Sequence, residues 1–168
     1  GMIVNDYQLG RDGSITLIEE NNDKTDKLYS SNRNGTVNRN NSIELQKGVL
    51  DNPVESYGHS IVSGPYKNSL YQIINNTKDA EIFFKFASRN SEVEFGNTTA
   101  INKEGGSINI VSTSHMSGTN PASNEANRYL TSFKSLLITQ QDHSHNLVPW
   151  KTDYPSGFDA DDGIDYTE

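Results

Sequence analysis

His143 and His145, one residue apart in Asp142-His143-Ser144-His145, are the residues whose types and spacing most directly suggest chemistry. In an extended backbone, positions i and i+2 face the same way, so both imidazoles can converge on one ion while Ser144 faces elsewhere. Zinc accepts imidazole nitrogen and carboxylate oxygen in a tetrahedral shell, and a hydrolytic site keeps one position for water. Tyr154-Pro155-Ser156-Gly157 and a run of carboxylates follow, so Asp159, Asp161, Asp162 and Asp165 are each candidates for a third, oxygen ligand. His115 is a rival ligand, although its spacing does not tie it to the pair. The competing reading is an exposed polar loop whose histidines bind nothing.

Metal-assisted hydrolysis also needs a carboxylate that accepts a proton from water and returns one to the leaving group. Glu92 and Glu94 are the candidates, in Ser91-Glu92-Val93-Glu94-Phe95-Gly96, which alternates polar with apolar and reads as a strand. Their same-face spacing leaves them equivalent by packing. Glu94 is preferred because it precedes Phe95-Gly96, where a strand can bend toward a pocket. The alternative is two solvated charges on a half-exposed strand. Ser156 is a poor base but can donate a hydrogen bond to water or to an oxyanion. His59 reads as a surface or packing residue.

These groups need elements to hold them. Asp12-Gly13 and Asn34-Gly35 are turn signals, Asn40-Asn41 adds another break, and Ile15–Ile18 and Ile43–Gln46 read as antiparallel strands or hairpins. Residues 79–87 have helical apolar spacing, with Thr77 or Asp79 as the cap. Residues 107–112 alternate as a strand after a Gly105-Gly106 turn, and 124–133 read as a second helix. The apolar run 136–139 predicts a buried strand ending just before His143. The order helix, strand, strand, helix, strand predicts a small α/β layer architecture, preceded by an antiparallel region that either extends the same sheet or forms an appended meander.

The 168 residues predict a single domain, 1–168, with 1–60 as its β-rich N-terminal extension. Only 32% of residues are hydrophobic, which predicts long polar loops around a modest core. A formal charge of −8 with scattered Lys and Arg argues against nucleic acid and anionic membrane as partners. The absence of cysteine excludes disulfides, a thiol nucleophile and thiolate ligation. No apolar span is long enough to cross a bilayer, and the first residues lack the features of a signal peptide. Gly1 before Met2 reads as a processing remnant, so the chain is either a whole small protein or an excised domain.

Taken together, Glu94, His143-Ser144-His145 and Pro155-Ser156-Gly157-Phe158-Asp159 resemble the JAMM (MPN-plus) metalloprotease signature of an upstream Glu, H-x-H and S-x-x-D. The chain most resembles the JAB-like toxin family, found as C-terminal domains of bacterial polymorphic toxins, often from Bacteroidetes. That likeness runs from Asn5, Asp6, Tyr7 and Leu9 through Asp12–Ile15, Asn22–Leu28 and Val93–Gly96 to H-S-H and Y-P-S-G. Asn146 stands where the signature usually has proline, and ten residues separate His145 from Ser156 where seven are usual.

The resemblance implies a JAMM/cytidine-deaminase-like layered core with an N-terminal antiparallel β extension, C-terminally incomplete because the class usually continues past Asp165 with a helix. It implies a zinc-dependent peptidase or isopeptidase with Glu94 as general acid/base, His143 and His145 as ligands, and Ser156 supporting the tetrahedral intermediate. Asp159 is the first choice of third ligand and Asp165 the second. It also implies a protein or peptide substrate, a cognate immunity protein, and secretion or delivery as part of a larger toxin. The alternatives are a catalytically inactive JAMM-like protein-binding domain, or a structural or carbohydrate-binding surface domain built on the N-terminal strands.

Overall fold

A computed structural model of the protein describes residues 4–51, 53–60, 64–145, 158–159 and 164–167. Six strands come first: β1 Val4–Leu9, β2 Ile15–Asn21, β3 Thr25–Ser31, β4 Val37–Gln46, β5 Val54–Ser60 and β6 Gly64–Ile74. Then follow α1 Thr77–Arg89, β7 Gly96–Ile101, β8 Ser107–Thr113, α2 Pro121–Thr131 and β9 Leu137–Ser144, with short β10 Phe158–Asp159 and β11 Ile164–Thr167. Among the described residues the fold is mixed α/β with two sheets and two helices. β1–β4 form a four-stranded sheet ordered β2-β1-β3-β4, and the other strands form a seven-stranded sheet ordered β10-β11-β9-β7-β8-β6-β5.

α1 lies between the two sheets. Its Ala80, Phe83, Phe84, Phe86 and Ala87 share one buried cluster with Tyr7, Leu9, Leu28 and Leu45 of the first sheet and Ile74 and Val111 of the second. A helix with apolar residues around most of its circumference has to be covered on more than one side, and the first sheet supplies the second cover. α2 packs on the opposite face of the large sheet, where Ala126 and Leu130 meet Ala100 and Ile110. The adjacent β8 residues Ile110 and Val111 therefore face different helices, as the two-residue period of a strand requires.

Several sequence expectations are corrected. The first sheet is not wholly antiparallel, because β1 and β3 run parallel. Asn40-Asn41 lies inside β4 rather than breaking it: Asn41 donates to Ser30 Oγ and Asn90 Oδ1, so its polar group is satisfied within the fold. The helix begins earlier than its apolar spacing suggests and is capped by Asn76, whose side chain accepts the Asp79 amide at 3.0 Å. Asp79 instead accepts the amide of Gln46 at the end of β4. His59 lies in β5, paired with Pro65. Residues 91–95 are irregular and β7 starts only at Gly96, while β9 runs through His143 to Ser144 instead of ending before the pair.

Candidate active site

The segment before β7 departs from strand geometry because outside partners hold it. The Glu92 amide donates to the Arg11 carbonyl at 2.7 Å and the Glu94 amide to the Met116 carbonyl at 2.9 Å. Thr113 Oγ1 donates to the Glu94 carbonyl at 2.7 Å. The two carboxylates that packing could not separate in sequence thereby go to different places. Glu92 is exposed and paired with Arg11, whose hydrogen bond and charge hold its carboxyl below the usual range. Glu94 is 8% exposed, and its Oε1 stands 3.6 Å from Nδ1 of His145.

The pairing of β7 with β9 explains that approach. Gly96 is registered with His143. One residue out, the Ser144 amide donates to the Phe95 carbonyl at 2.9 Å, and Ser144 Oγ accepts the Phe95 amide at 2.9 Å. Continuing that antiparallel step sets Glu94 against His145. Burial alternates to match, with Asp142 and Ser144 buried and His143 and His145 partly exposed. The two imidazoles meet edge to face, ring centroids 4.7 Å apart. The separation of 3.6 Å is too long for a hydrogen bond, and it becomes an ion pair when His145 is protonated.

α2 closes over the same end of the sheet. A Cβ on Gly96 would lie 2.7 Å from Ser123 Oγ and 3.2 Å from Asn120 Nδ2, so only glycine lets the first turn of α2 come this near to β7. Asn120 also donates to the Ser112 carbonyl, and Ser114 Oγ accepts the Ala122 amide. Sequence reasoning did not single out Ser144 as a tether or Ser123 and Asn120 as neighbours of the rim. A lone glycine in an alternating segment, Gly96, was the available sign of close approach.

Asp165 belongs to β11 and is registered with His143, directly across the ladder. Asp159 belongs to β10, registered with Ile164. Ser156, Asp161 and Asp162 lie outside the described residues. His115 is turned toward the first sheet, its Nδ1 2.7 Å from the Asp12 carbonyl. Among the described residues no three His, Cys, Asp or Glu side chains are gathered into a ready metal cluster. The two neighbouring imidazoles are donors of the kind that zinc takes, and one carboxylate oxygen more would be needed to make three protein ligands.

Residues 72–168, more than half of the chain, match the family model of JAB-like toxin 1. The chain belongs to this family. The match takes in the last part of β6, both helices and every element of the rim, so Glu94, His143 and His145 all fall inside the JAB-like toxin region. The four-stranded first sheet precedes it. No curated protein and no solved structure matches the chain. Among the described residues of this JAB-like toxin domain, no helix is long and apolar enough to cross a membrane.

Proposed function

We propose that this JAB-like toxin domain is a zinc-dependent peptidase or isopeptidase, the effector part of a bacterial polymorphic toxin that acts on a protein target and is restrained by an immunity protein. The observation that carries the reading is the opposition of a buried carboxylate, Glu94, to His145 within a two-histidine rim. His143 and His145 would hold the metal with Asp159 or Asp165, and Asp165 has the support of its register with His143. Zinc, when bound, supplies the Lewis acidity that polarises a carbonyl and makes water nucleophilic near neutral pH.

The chain's own groups supply the rest. Glu94 has limited access to solvent and accepts a proton from the attacking water, then returns it to the leaving amine. Its backbone is fixed through Met116 and Thr113, so the carboxylate does not have to be ordered during the reaction. Ser156 donates to the developing oxyanion.

The deciding experiment is elemental analysis of protein purified without a metal-binding tag, beside the His143→Ala, His145→Ala double variant. One zinc per chain, lost in the variant, supports the reading; unchanged zinc in the variant or none after reconstitution sinks it. Glu94→Gln should then retain zinc and lose peptide cleavage by roughly 10²-fold or more, the range of general acid–base contributions. Stoichiometric zinc with no cleavage of any tested protein by well-folded wild type would favour the inactive binding domain.

A further inference from the structure

The ladder between β7 and β8 ends with Gly96 opposite Ser112, so Glu94 lies beyond it. On one side Glu94 faces His145, and on the other it meets residues 113–116, where β8 runs out toward α2. This stretch grips the Glu94 backbone at both ends: Thr113 Oγ1 donates to its carbonyl at 2.7 Å, and the Met116 carbonyl accepts its amide at 2.9 Å. Between the two anchors lies His115, whose amide donates to Thr113 Oγ1 at 3.1 Å and whose φ of 57° turns the chain from one anchor to the other. Non-glycine residues seldom adopt this left-handed conformation, and it persists where surrounding contacts hold it.

The holding contact comes from the first sheet. Nδ1 of His115 lies 2.7 Å from the Asp12 carbonyl in the turn between β1 and β2; a carbonyl can only accept, so the ring donates. The same turn reaches the segment before β7 directly. The Arg11 carbonyl accepts the Glu92 amide at 2.7 Å, and the Arg11 guanidinium pairs with the Glu92 carboxylate, with Arg33 of the β3–β4 turn adding its charge. A Cβ on Gly13 would stand 2.7 Å from Val93 Cγ2 and 3.3 Å from Phe95 Cε2, so the turn presses on the buried residues either side of Glu94. Gly13 sits at φ +81°, which glycine adopts without strain. An exposed ion pair such as Arg11–Glu92 contributes little alone. Here it is joined by a backbone bond, an imidazole bond and close packing, all from three consecutive residues.

We propose that Arg11, Gly13 and His115 are positioning residues for Glu94. The β1–β2 turn fixes residues 92–95 directly and residues 113–116 through His115, and so sets where the Glu94 carboxylate stands against His145. The use of that placement in proton transfer rests on the peptidase reading; the placement itself does not. Arg11 and Gly13 precede the family-matched residues 72–168, so the JAB-like region takes part of the support of its own rim from the sheet before it.

The test uses metal-free protein of full length, labelled with ¹³C and ¹⁵N. The carboxyl ¹³C resonance of Glu94, identified by its loss in Glu94→Gln, reports where the side chain sits, and exchange of the Glu92 and Glu94 amides reports how firmly the segment is held. His115→Asn keeps a residue that tolerates positive φ; it should shift that resonance and speed exchange at Glu94 about tenfold, the loss of one hydrogen bond. Arg11→Glu should shift the resonance and speed exchange at Glu92 and Glu94 about threefold, as for an exposed ion pair, while Arg11→Lys stays near wild type. The amides of α1 should keep wild-type rates throughout. An unmoved Glu94 resonance in both His115→Asn and Arg11→Glu, equal effects of Arg11→Lys and Arg11→Glu, or equal acceleration in α1 would overturn the proposal. If zinc-loaded wild type cleaves peptide, His115→Asn and Arg11→Glu should lower kcat with KM unchanged, and the reverse pattern would also overturn it. A wild type that cleaves nothing counts against the peptidase reading alone, because the resonance and exchange measurements need neither zinc nor substrate.

Discussion

The two helices flank one sheet but do different work. α1 is enclosed: Phe83 and Phe84 are at most 1% exposed, and Phe83 meets Phe95 edge to face at 6.2 Å. α2 buries only Ala122, Ala126 and Leu130, leaving Tyr129 half exposed, and its first turn rests on Gly96 beside the histidine rim. Large apolar burial on the α1 side stabilises the fold, while the first turn of α2 sets small and polar residues closely against Gly96 beside the rim. The difference separates the enclosed core that keeps the chain folded from the sparsely packed flank that borders the histidine pair.

The largest effect should come from breaking the α1 side. Phe83→Ala removes a ring at the junction of both sheets and should cost about 3–5 kcal/mol in urea unfolding. Tyr129→Ala, on the open flank of α2, should stay within about 1 kcal/mol. Comparable losses for the two would abolish the asymmetry.

The asymmetry also explains how far the sequence could be read. Helix 79–87 was legible because Phe83, Phe84, Phe86 and Ala87 have to be buried and Lys85 does not. Its true start at Thr77 depends on Asn76, a capping residue among several polar candidates. The histidine pair was legible as a motif, and its i, i+2 convergence follows from the extended backbone of β9. The location of Glu94 was not derivable from local alternation, because partners distant in sequence, Arg11, Met116 and Ser144, override strand geometry in 91–95. The covering of α1 by a separate first sheet was equally hidden, since nothing local in β1–β4 says which apolar surface they meet.

Ser144→Ala tests the tether at the rim. It leaves the buried Phe95 amide without its acceptor and should cost about 1–3 kcal/mol. Because Ser144 joins the Glu94 and His145 segments, metal-free protein should also lose amide protection at Phe95 and Gly96 before α1 is affected. Equal protection losses in α1 and at Phe95 would mean that the rim is not a separately held unit.

The smallest effect concerns a polar contact on the α1 side. Tyr7 is buried and donates its hydroxyl to Asp51, and burial, followed by that hydrogen bond, pushes its ionisation well above the ordinary tyrosine range. The native state therefore holds the proton more tightly than the unfolded chain, whose tyrosines ionise near pH 10. The stabilisation is complete below about pH 10 and is lost as pH climbs from there toward the native value. At pH 8, Tyr7→Phe should cost about 1 kcal/mol. Urea unfolding at pH 8, 10 and 11 should find wild type and Tyr7→Phe drawing together as pH rises, because only the wild type has this hydroxyl to lose; a constant gap across that range would refute the linkage. The α2 rim contains no such tyrosine among its named groups, so the alkaline loss should appear in protection of α1 and β1 rather than at Glu94 and His145.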